Sequence, residues 1–571
     1  MESASRKHVT EVTIAAGDKA TARKWQAFLR GFVVSDGFLL LLTVLGILLR
    51  VVVFLDNRPF WTDEAQLALN IRSKTVPQLF GHLNFCQAAP PLFLVLEKLS
   101  TSLLGEGEPV LRIVPLFAGI CSMPLFVLLA KRTIRRPSVP LAVAMFAISE
   151  PLIRYATEFK QYSVDVLFAL ILWLLAAGVF ANRSRFRFFV GLALVGAASP
   201  WFSFASILVL IALVVIGLAQ AAIEKRREDL VIWSLVAAIW AGSIAAVYSL
   251  SLSGLIASTA RAALMDEKAV VPHDMNSVGW LLNKGFEILQ FPVGISGLGA
   301  GLAGVCFLFG LFQVDKHRRF LAACITLPLF LAVVGSWLAL YPLFGRFLLF
   351  TVPVFQLLIA EGAVSIPKRF CPGSGLINVI AIMLLLMPRL DLLDRDEHGV
   401  NRRWTNVRGA LEYVQEHRQP DDLIYVYYGA YFPTIYYCPR VGIKEKELVM
   451  GVPGYWWNSD LRKTLLAAWQ KSERRSGVTP SEEVFHAYGC GEFSHQWHVY
   501  ESDLQRLAGH SRVWAIFSLS SWCGSDEEKL FLYFLDKRGQ RLDAFRSAGA
   551  SVYLYDLTHK KSKKSILIGS R

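Results

Sequence analysis

Eleven apolar runs dominate this chain, and most are of the roughly 17 to 25 residues a helix needs to cross about 30 Å of hydrocarbon. They fall near 34 to 55, 110 to 130, 139 to 157, 163 to 181, 188 to 200, 202 to 222, 231 to 254, 296 to 314, 320 to 341, 345 to 364 and 373 to 390. The pair flanking Pro200 also reads as one long helix kinked at Ser199-Pro200, because the first of the two is short. With 54% hydrophobic and 18% charged residues in a 571-residue chain, the balance departs from that of globular domains. The expected fold is a polytopic α-helical membrane protein of about 11 transmembrane helices.

Basic residues set the orientation. Arg23, Lys24 and Arg30 precede the first run, and Lys131, Arg132, Arg135 and Arg136 follow the second. Arg183, Arg185 and Arg187, then Lys225, Arg226 and Arg227, then Lys316, Arg318 and Arg319, then Lys368 and Arg369 mark further alternate loops. The positive-inside rule therefore puts the N-terminal segment 1–33 in the cytoplasm and the first long loop, 56–109, outside. This bias accounts for most of the net charge of +14 and gives little reason to invoke nucleic acid. The polar N-terminus carries no cleavage site behind its apolar run, so the first span is expected to serve as the targeting element. These features predict a multi-pass protein of the cytoplasmic (inner) membrane.

From about residue 391 the composition turns polar, which divides a membrane region, 34–390, from an extracytoplasmic domain, 391–571, on the periplasmic or extracellular side. Within it Leu423 to Tyr428, Val513 to Phe517 and Ser551 to Tyr555 read as strands, and Arg408 to His417 and Glu527 to Lys537 as helices, predicting an α/β layer. It has no glycine-rich phosphate loop and no His/Cys metal spacing. Cys86, Cys438, Cys490 and Cys523 fall on the outer side, where disulfides are permitted; a Cys490–Cys523 pair and free buried thiols are both open.

Asn57-Arg58-Pro59-Phe60-Trp61-Thr62-Asp63-Glu64-Ala65 places two carboxylates at the expected membrane surface, where a base meets a lipid-borne substrate and an aqueous one together. Asp63 and Gln66 also have capping-box spacing, so Asp63 is expected to start a helix over Glu64 to Ile71, a role compatible with catalysis. The next outward turn, Arg154-Tyr155-Ala156-Thr157-Glu158-Phe159-Lys160-Gln161-Tyr162, adds a second acid, Glu158. Asp165, inside the fourth run, is expected to have a partner such as Arg154 or Lys160, or to face a wet cavity. Interfacial anchoring is the alternative for these side chains. Arg50, Arg58, Arg112 and Arg346 all approach the outer leaflet, where a guanidinium fork suits a lipid phosphate. Arg346 leads, being held in the turn Tyr341-Pro342-Leu343-Phe344-Gly345-Arg346.

Trp61-Thr62-Asp63-Glu64-Ala65 with Asn70-Ile71, then Gln87-Ala88-Ala89-Pro90-Pro91-Leu92-Phe93, Gly105 and Leu111-Arg112, resembles the GT-C superfamily of membrane glycosyltransferases. The resemblance is to bacterial relatives of protein mannosyltransferases and of lipid A aminoarabinose or galacturonic acid transferases, and Glu158 to Ser163 and Tyr341 to Arg346 extend it. It implies transfer of a sugar from a polyprenyl-phosphate carrier to a lipid, glycan or protein hydroxyl at the outer face. It assigns Asp63, Glu64 and Glu158 to catalysis, Arg346, Arg58, Arg112 and Lys160 to the donor phosphate, and Gln87, Gln161 and Tyr162 to substrate contact. Ala88 and Ala89 depart from it, since several relatives carry a polar or basic residue there. No cofactor or metal ligand set is implied, and a divalent metal requirement stays open.

The chemistry is coherent on its own terms. A phosphate is a weakly basic leaving group, so one base for the acceptor proton and one cation for the departing charge suffice, the base contributing about 10² to 10⁴-fold. A transporter or flippase is the rival class. It predicts inverted repeats and mid-membrane charges, whereas these acids cluster at one surface. A receptor or scaffold reading leaves Asp63 and Glu158 without a shared task.

Overall fold

The computed structural model describes residues 35–85, 87–181, 185–253, 271–272, 277–295, 297–313, 319–370, 375–387, 405–451, 503–518 and 527–558. Among them seven helices are long and apolar enough to cross a membrane: Asp36–Leu55, Val110–Thr133, Tyr162–Phe180, Ser206–Ile223, Arg227–Leu252, Arg319–Trp337 and Gly345–Ile366. Arg136–Ile148 and Glu150–Ala156, bent by 49° at their junction, form a further apolar pair, either one broken span or a re-entrant loop. Phe186–Phe202 and Leu298–Phe312 are apolar but shorter, and Gly375–Leu386 fills the last expected position with 12 residues. Each expected run thus meets a helix. The segment 1–33 and the boundary near 391 lie outside the described residues.

The Pro200 region is two antiparallel helices. Phe189 and Gly217 both lie against Trp233, and Trp240 donates to the Ala193 carbonyl, so Arg185–Phe202 runs alongside Arg227–Val247 while Ser206–Ile223 runs back. Ser203 sits at the reversal, its hydroxyl accepting from the Ser206 amide at 3.1 Å. Leu298–Phe312 meets Val352–Phe370 in a tight crossing at Gly310 and Gly362. A Cβ on Gly310 would lie 2.1 Å from the Leu358 carbonyl oxygen, and one on Gly362 1.9 Å from that of Cys306. Small residues that admit backbone contact supply the dispersion that lipid leaves as the main attraction between helices.

Arg50 does not reach a lipid headgroup. It is 1% exposed, and its guanidinium donates to the carbonyls of Gly46 at 2.8 Å, Ala147 at 3.4 Å and Phe146 at 3.4 Å. The break after Ile148 leaves those last two carbonyls without helical partners, and Arg50 satisfies them, so it is a helix-end ligand rather than a phosphate candidate.

The predicted strands appear as β1 (Leu423–Val426), β3 (Val513–Ser518) and β5 (Ala550–Asp556), joined by β2 (Leu448–Met450) and β4 (Gln540–Ser547). The sheet order is β2-β1-β3-β5-β4, with β1 parallel to β2 and β3 and the β3–β5–β4 edge antiparallel. Strand alternation sends Ile424, Val426, Trp514 and Ile516 toward the Val407–His417 helix, and Tyr425, Ala515 and Phe517 toward Glu527–Arg538. The first apolar layer continues into Phe60, Leu67, Ile71 and Phe93 of the first long loop. Sheet domain and loop therefore share one core on one face of the helical region. Cys438 is a free, buried thiol, whereas Cys86, Cys490 and Cys523 lie outside the described residues.

Candidate active site

The Thr62–Ser73 helix begins one residue before Asp63, with Trp61 at its N-cap position and no side-chain cap. The capping-box expectation is corrected accordingly: a cap must precede the first helical residue, and Asp63 lies inside the first turn, where the helix dipole still favours its charge. Its carboxylate turns to cations instead. Arg346 donates to Oδ2 at 2.6 Å, and Lys160 Nζ lies 3.8 Å from the same oxygen. Gln87 donates to Oδ1 at 3.5 Å and to Gln66 Oε1 at 2.7 Å, while its own oxygen accepts from Lys160 at 2.6 Å.

Burial opposes ionisation of Asp63, yet Lys160 and Arg346 outweigh it and hold the group down at about 2. Lys160 is also lowered, because its burial outweighs the pull of Asp63. The Asp63 side chain keeps 20% of its surface exposed and Arg346 22%, so this pair faces outward while its neighbours are closed in. Arg346 stands in the turn Gly345–Thr351, over the rings of Trp61 at 5.7 Å, Tyr162 at 5.8 Å and Phe347 at 5.6 Å. The Phe291 ring lies 2.5 Å from where a Gly345 Cβ would stand, so a larger residue at the start of this turn would have to displace that ring.

Behind this face lies a closed layer of charge. Glu64 is fully buried and receives both Arg112 Nε, at 3.0 Å, and Nη2, at 2.8 Å, together with the Phe159 amide at 2.8 Å. Arg112 also donates to the Arg58 carbonyl at 2.6 Å and covers the Phe60 ring at 4.8 Å. Arg58 spans Glu64 at 3.8 Å and Glu158 at 3.7 Å and reaches Thr157 Oγ1 at 3.3 Å. Burial is the largest influence on Glu64, but Arg112 and Arg58 hold it below the usual range. Burial prevails at Glu158, raising it although Arg154 and Arg58 stand at 3.7 Å.

The structure thus brings Asp63, Gln87, Lys160, Tyr162 and Arg346 together at the open face, and sets Glu64, Arg58, Arg112 and Glu158 in the layer behind. Gln161 is the N-cap residue of Tyr162–Phe180, and its side-chain oxygen has no hydrogen-bond partner among the described residues. Asp165 is corrected: it bonds Ser203 at the helix reversal, while Arg154 turns to Glu158 and Lys160 to Gln87. Among the described residues no three His, Cys, Asp or Glu side chains gather as a metal-ligand set. Tyr455, Trp456 and Trp457, which could stack on a sugar, lie outside the described residues.

Sequence reasoning missed two features. Gln66, read only as a cap partner, fixes the Gln87 amide so that its oxygen meets Lys160. The second is the clasp from the sheet domain. Tyr437 Oη accepts from the Phe60 amide at 2.7 Å and donates to Glu108 at 2.9 Å, and Arg408 pairs with Glu108 at 2.6 Å. Arg408 also donates to the Asn57 carbonyl and Thr62 to that of Gly429, so residues 57, 60 and 62 are all tied to this domain just before Asp63.

No family model matches the chain, and no curated protein matches it significantly. Solved structures similar in overall course include ArnT from Cupriavidus metallidurans bound to undecaprenyl phosphate, at 11% identity and a TM-score of 0.47, covering 91% of this chain and 98% of that one. An Archaeoglobus fulgidus oligosaccharyltransferase complexed with Zn and sulfate aligns at 12% identity and a TM-score of 0.48, over 90% of this chain and 73% of that one. The Archaeoglobus fulgidus oligosaccharyltransferase AglB, with an inhibitory peptide and a dolichol-phosphate, aligns at 11% and 0.44, over 92% and 75%. At this level the likeness says nothing of activity.

Proposed function

We propose that the protein is a membrane glycosyltransferase of the GT-C kind, moving a sugar from a polyprenyl-phosphate donor to a hydroxyl of a lipid, glycan or protein acceptor. The observation that carries this reading is one ionised, partly exposed carboxylate, Asp63, set between two cations, Arg346 and Lys160, at a face where spanning helices meet a soluble domain. Asp63 takes the acceptor proton, the acceptor oxygen bonds to the anomeric carbon, and the carbon–oxygen bond to phosphate breaks. Arg346 and Lys160 receive the charge that develops on the departing phosphate. Gln87 holds Lys160 in place, and the Tyr162 ring, packed between Arg346 and Tyr155, lines the donor side. Glu64 and Arg112 form the frame that fixes Asp63, and Arg58 joins that frame to Glu158. The substrate class extends to hexosyl or pentosyl groups.

Arg346→Ala is expected to weaken use of the lipid-phosphate donor about tenfold or more in KM while the protein stays folded. Arg346→Lys should rescue only in part, because an ammonium lacks the fork. The assay follows release of polyprenyl phosphate from a labelled donor by the purified protein. Unchanged donor dependence in both variants removes Arg346 from the site. Transport of a labelled lipid or polar substrate without release of lipid phosphate points instead to a transporter or flippase.

The reading also places the site outside the cytoplasm, in the inner membrane. Reporter fusions in 56–109 and after residue 400 should be active only as extracytoplasmic reporters. A cytoplasmic signal after 400 together with an outer signal in 56–109 would contradict the shared core of loop and sheet domain.

A further inference from the structure

Lys160 and Arg346, both proposed phosphate ligands, hold Asp63 as a weakly basic carboxylate, and Arg346 is the one bonded to it directly. Arg346 Nη1 contacts Asp63 Oδ2 at 2.6 Å, a charge-assisted bond on one of the carboxylate's two oxygens. On the same face, Arg346 Nε and the Trp61 indole nitrogen are buried donors with no acceptor among the described residues. Two unmet N–H groups, one from the guanidinium and one from the indole beside it, are costly unless an oxygen-rich ligand meets them. The Trp61 ring centroid lies 5.7 Å from the Arg346 guanidinium carbon, so the two unmet donors belong to adjoining side chains.

We propose that the donor phosphate takes Arg346 away from Asp63, with the Trp61 indole N–H as an additional phosphate ligand, so that the donor binds first and its binding releases Asp63 to act as base. This rests on the glycosyltransferase reading and adds to it a ligand, Trp61, and an order of binding. In the ligand-free arrangement Lys160 and Arg346 hold Asp63 at about 2, far too weak a base to draw a proton from a hydroxyl. The donor's phosphodiester spreads one negative charge over two free oxygens, which suit the guanidinium fork, and that charge then raises the basicity of the freed carboxylate. An acceptor arriving without donor meets an unreactive Asp63, which suppresses idle chemistry on the acceptor.

The test is equilibrium binding of a polyprenyl monophosphate to the purified full-length chain in detergent, with the dephosphorylated polyprenol as control. Wild type should bind the phosphate and not the alcohol. Asp63→Asn, which keeps an oxygen for Arg346 but not the competing charge, should bind it about tenfold tighter although inactive, and Trp61→Phe, which keeps an aromatic ring without the N–H, about tenfold weaker. In an Arg346→Gln background the gain from Asp63→Asn should vanish. A gain that persists there is bare charge repulsion and overturns the exchange, as does Asp63→Asn binding no tighter than wild type. Trp61→Phe binding like wild type overturns its role as ligand. If wild type does not bind the lipid phosphate at all, the donor reading fails along with the exchange; binding by wild type without the gain fails the exchange alone.

Discussion

Asp63→Asn is expected to lower sugar transfer by about two orders of magnitude or more, with normal membrane insertion and thermal stability. The amide keeps the size of the side chain and an oxygen for Arg346, which now donates to Oδ2 at 2.6 Å, so the turn Gly345–Thr351 has no reason to move. Since no side chain caps the Thr62–Ser73 helix, the substitution removes no cap. What it removes is the one carboxylate among Asp63, Glu64 and Glu158 that is both ionised and partly exposed, because Glu64 is enclosed by Arg112 and Glu158 is pushed toward its neutral form. Steady-state turnover with a labelled lipid-phosphate sugar decides it. Near-normal turnover would transfer the base role to another group and sink the mechanism. The low value of Asp63 has a further consequence. In the free enzyme the carboxylate stays charged across the whole ordinary pH range, so an acidic limb in kcat/KM would have to come from another group.

Much of this was legible because hydrocarbon imposes a strong, local rule. Runs such as Asp36–Leu55, Tyr162–Phe180 and Ser206–Ile223 had to be helices wherever they pack. β1, β3 and β5 were equally readable from short apolar runs between polar segments, whereas β4, with its exposed Gln540, Arg541 and Leu542, carried no such signal. Site residues could be named but not sorted. Asp63 and Glu64 are adjacent, and helical geometry alone sends one side chain to the open face and its neighbour inward to Arg112. Nothing local marks Arg112 as the partner of a carboxylate 48 residues away. Arg50 read as a surface cation because the freed carbonyls of Phe146 and Ala147 that it meets exist only once the helix bends after Ile148. The clasp of Tyr437 on Glu108 joins residues 329 apart, a distance at which no periodicity speaks.

The sorting of the two acids yields the second large effect, on stability rather than rate. Glu64→Ala should destabilise the protein by about 3 to 5 kcal/mol, because it strands Arg112, and in part Arg58, as buried cations beside one another. The Phe159 amide loses its acceptor as well, which unties the second outer turn from the Thr62–Ser73 helix. Glu64→Gln keeps an acceptor for that amide and should cost less. Pairing Glu64→Ala with Arg112→Leu removes the stranded Arg112 charge and should recover part of the loss, since neither ion of that pair is then left buried without its partner. Thermal unfolding in detergent measures all three. The pH dependence has a definite sign: Glu64 is held below the usual glutamate range, so its contribution is complete above that range and fades as pH falls through the folded-state value. Activity per folded molecule then separates the two acids. A Glu64→Gln protein that folds normally yet is as inactive as Asp63→Asn would return Glu64 to the chemistry, whereas one that retains most of its turnover is the behaviour of a residue that only fixes where Asp63 stands.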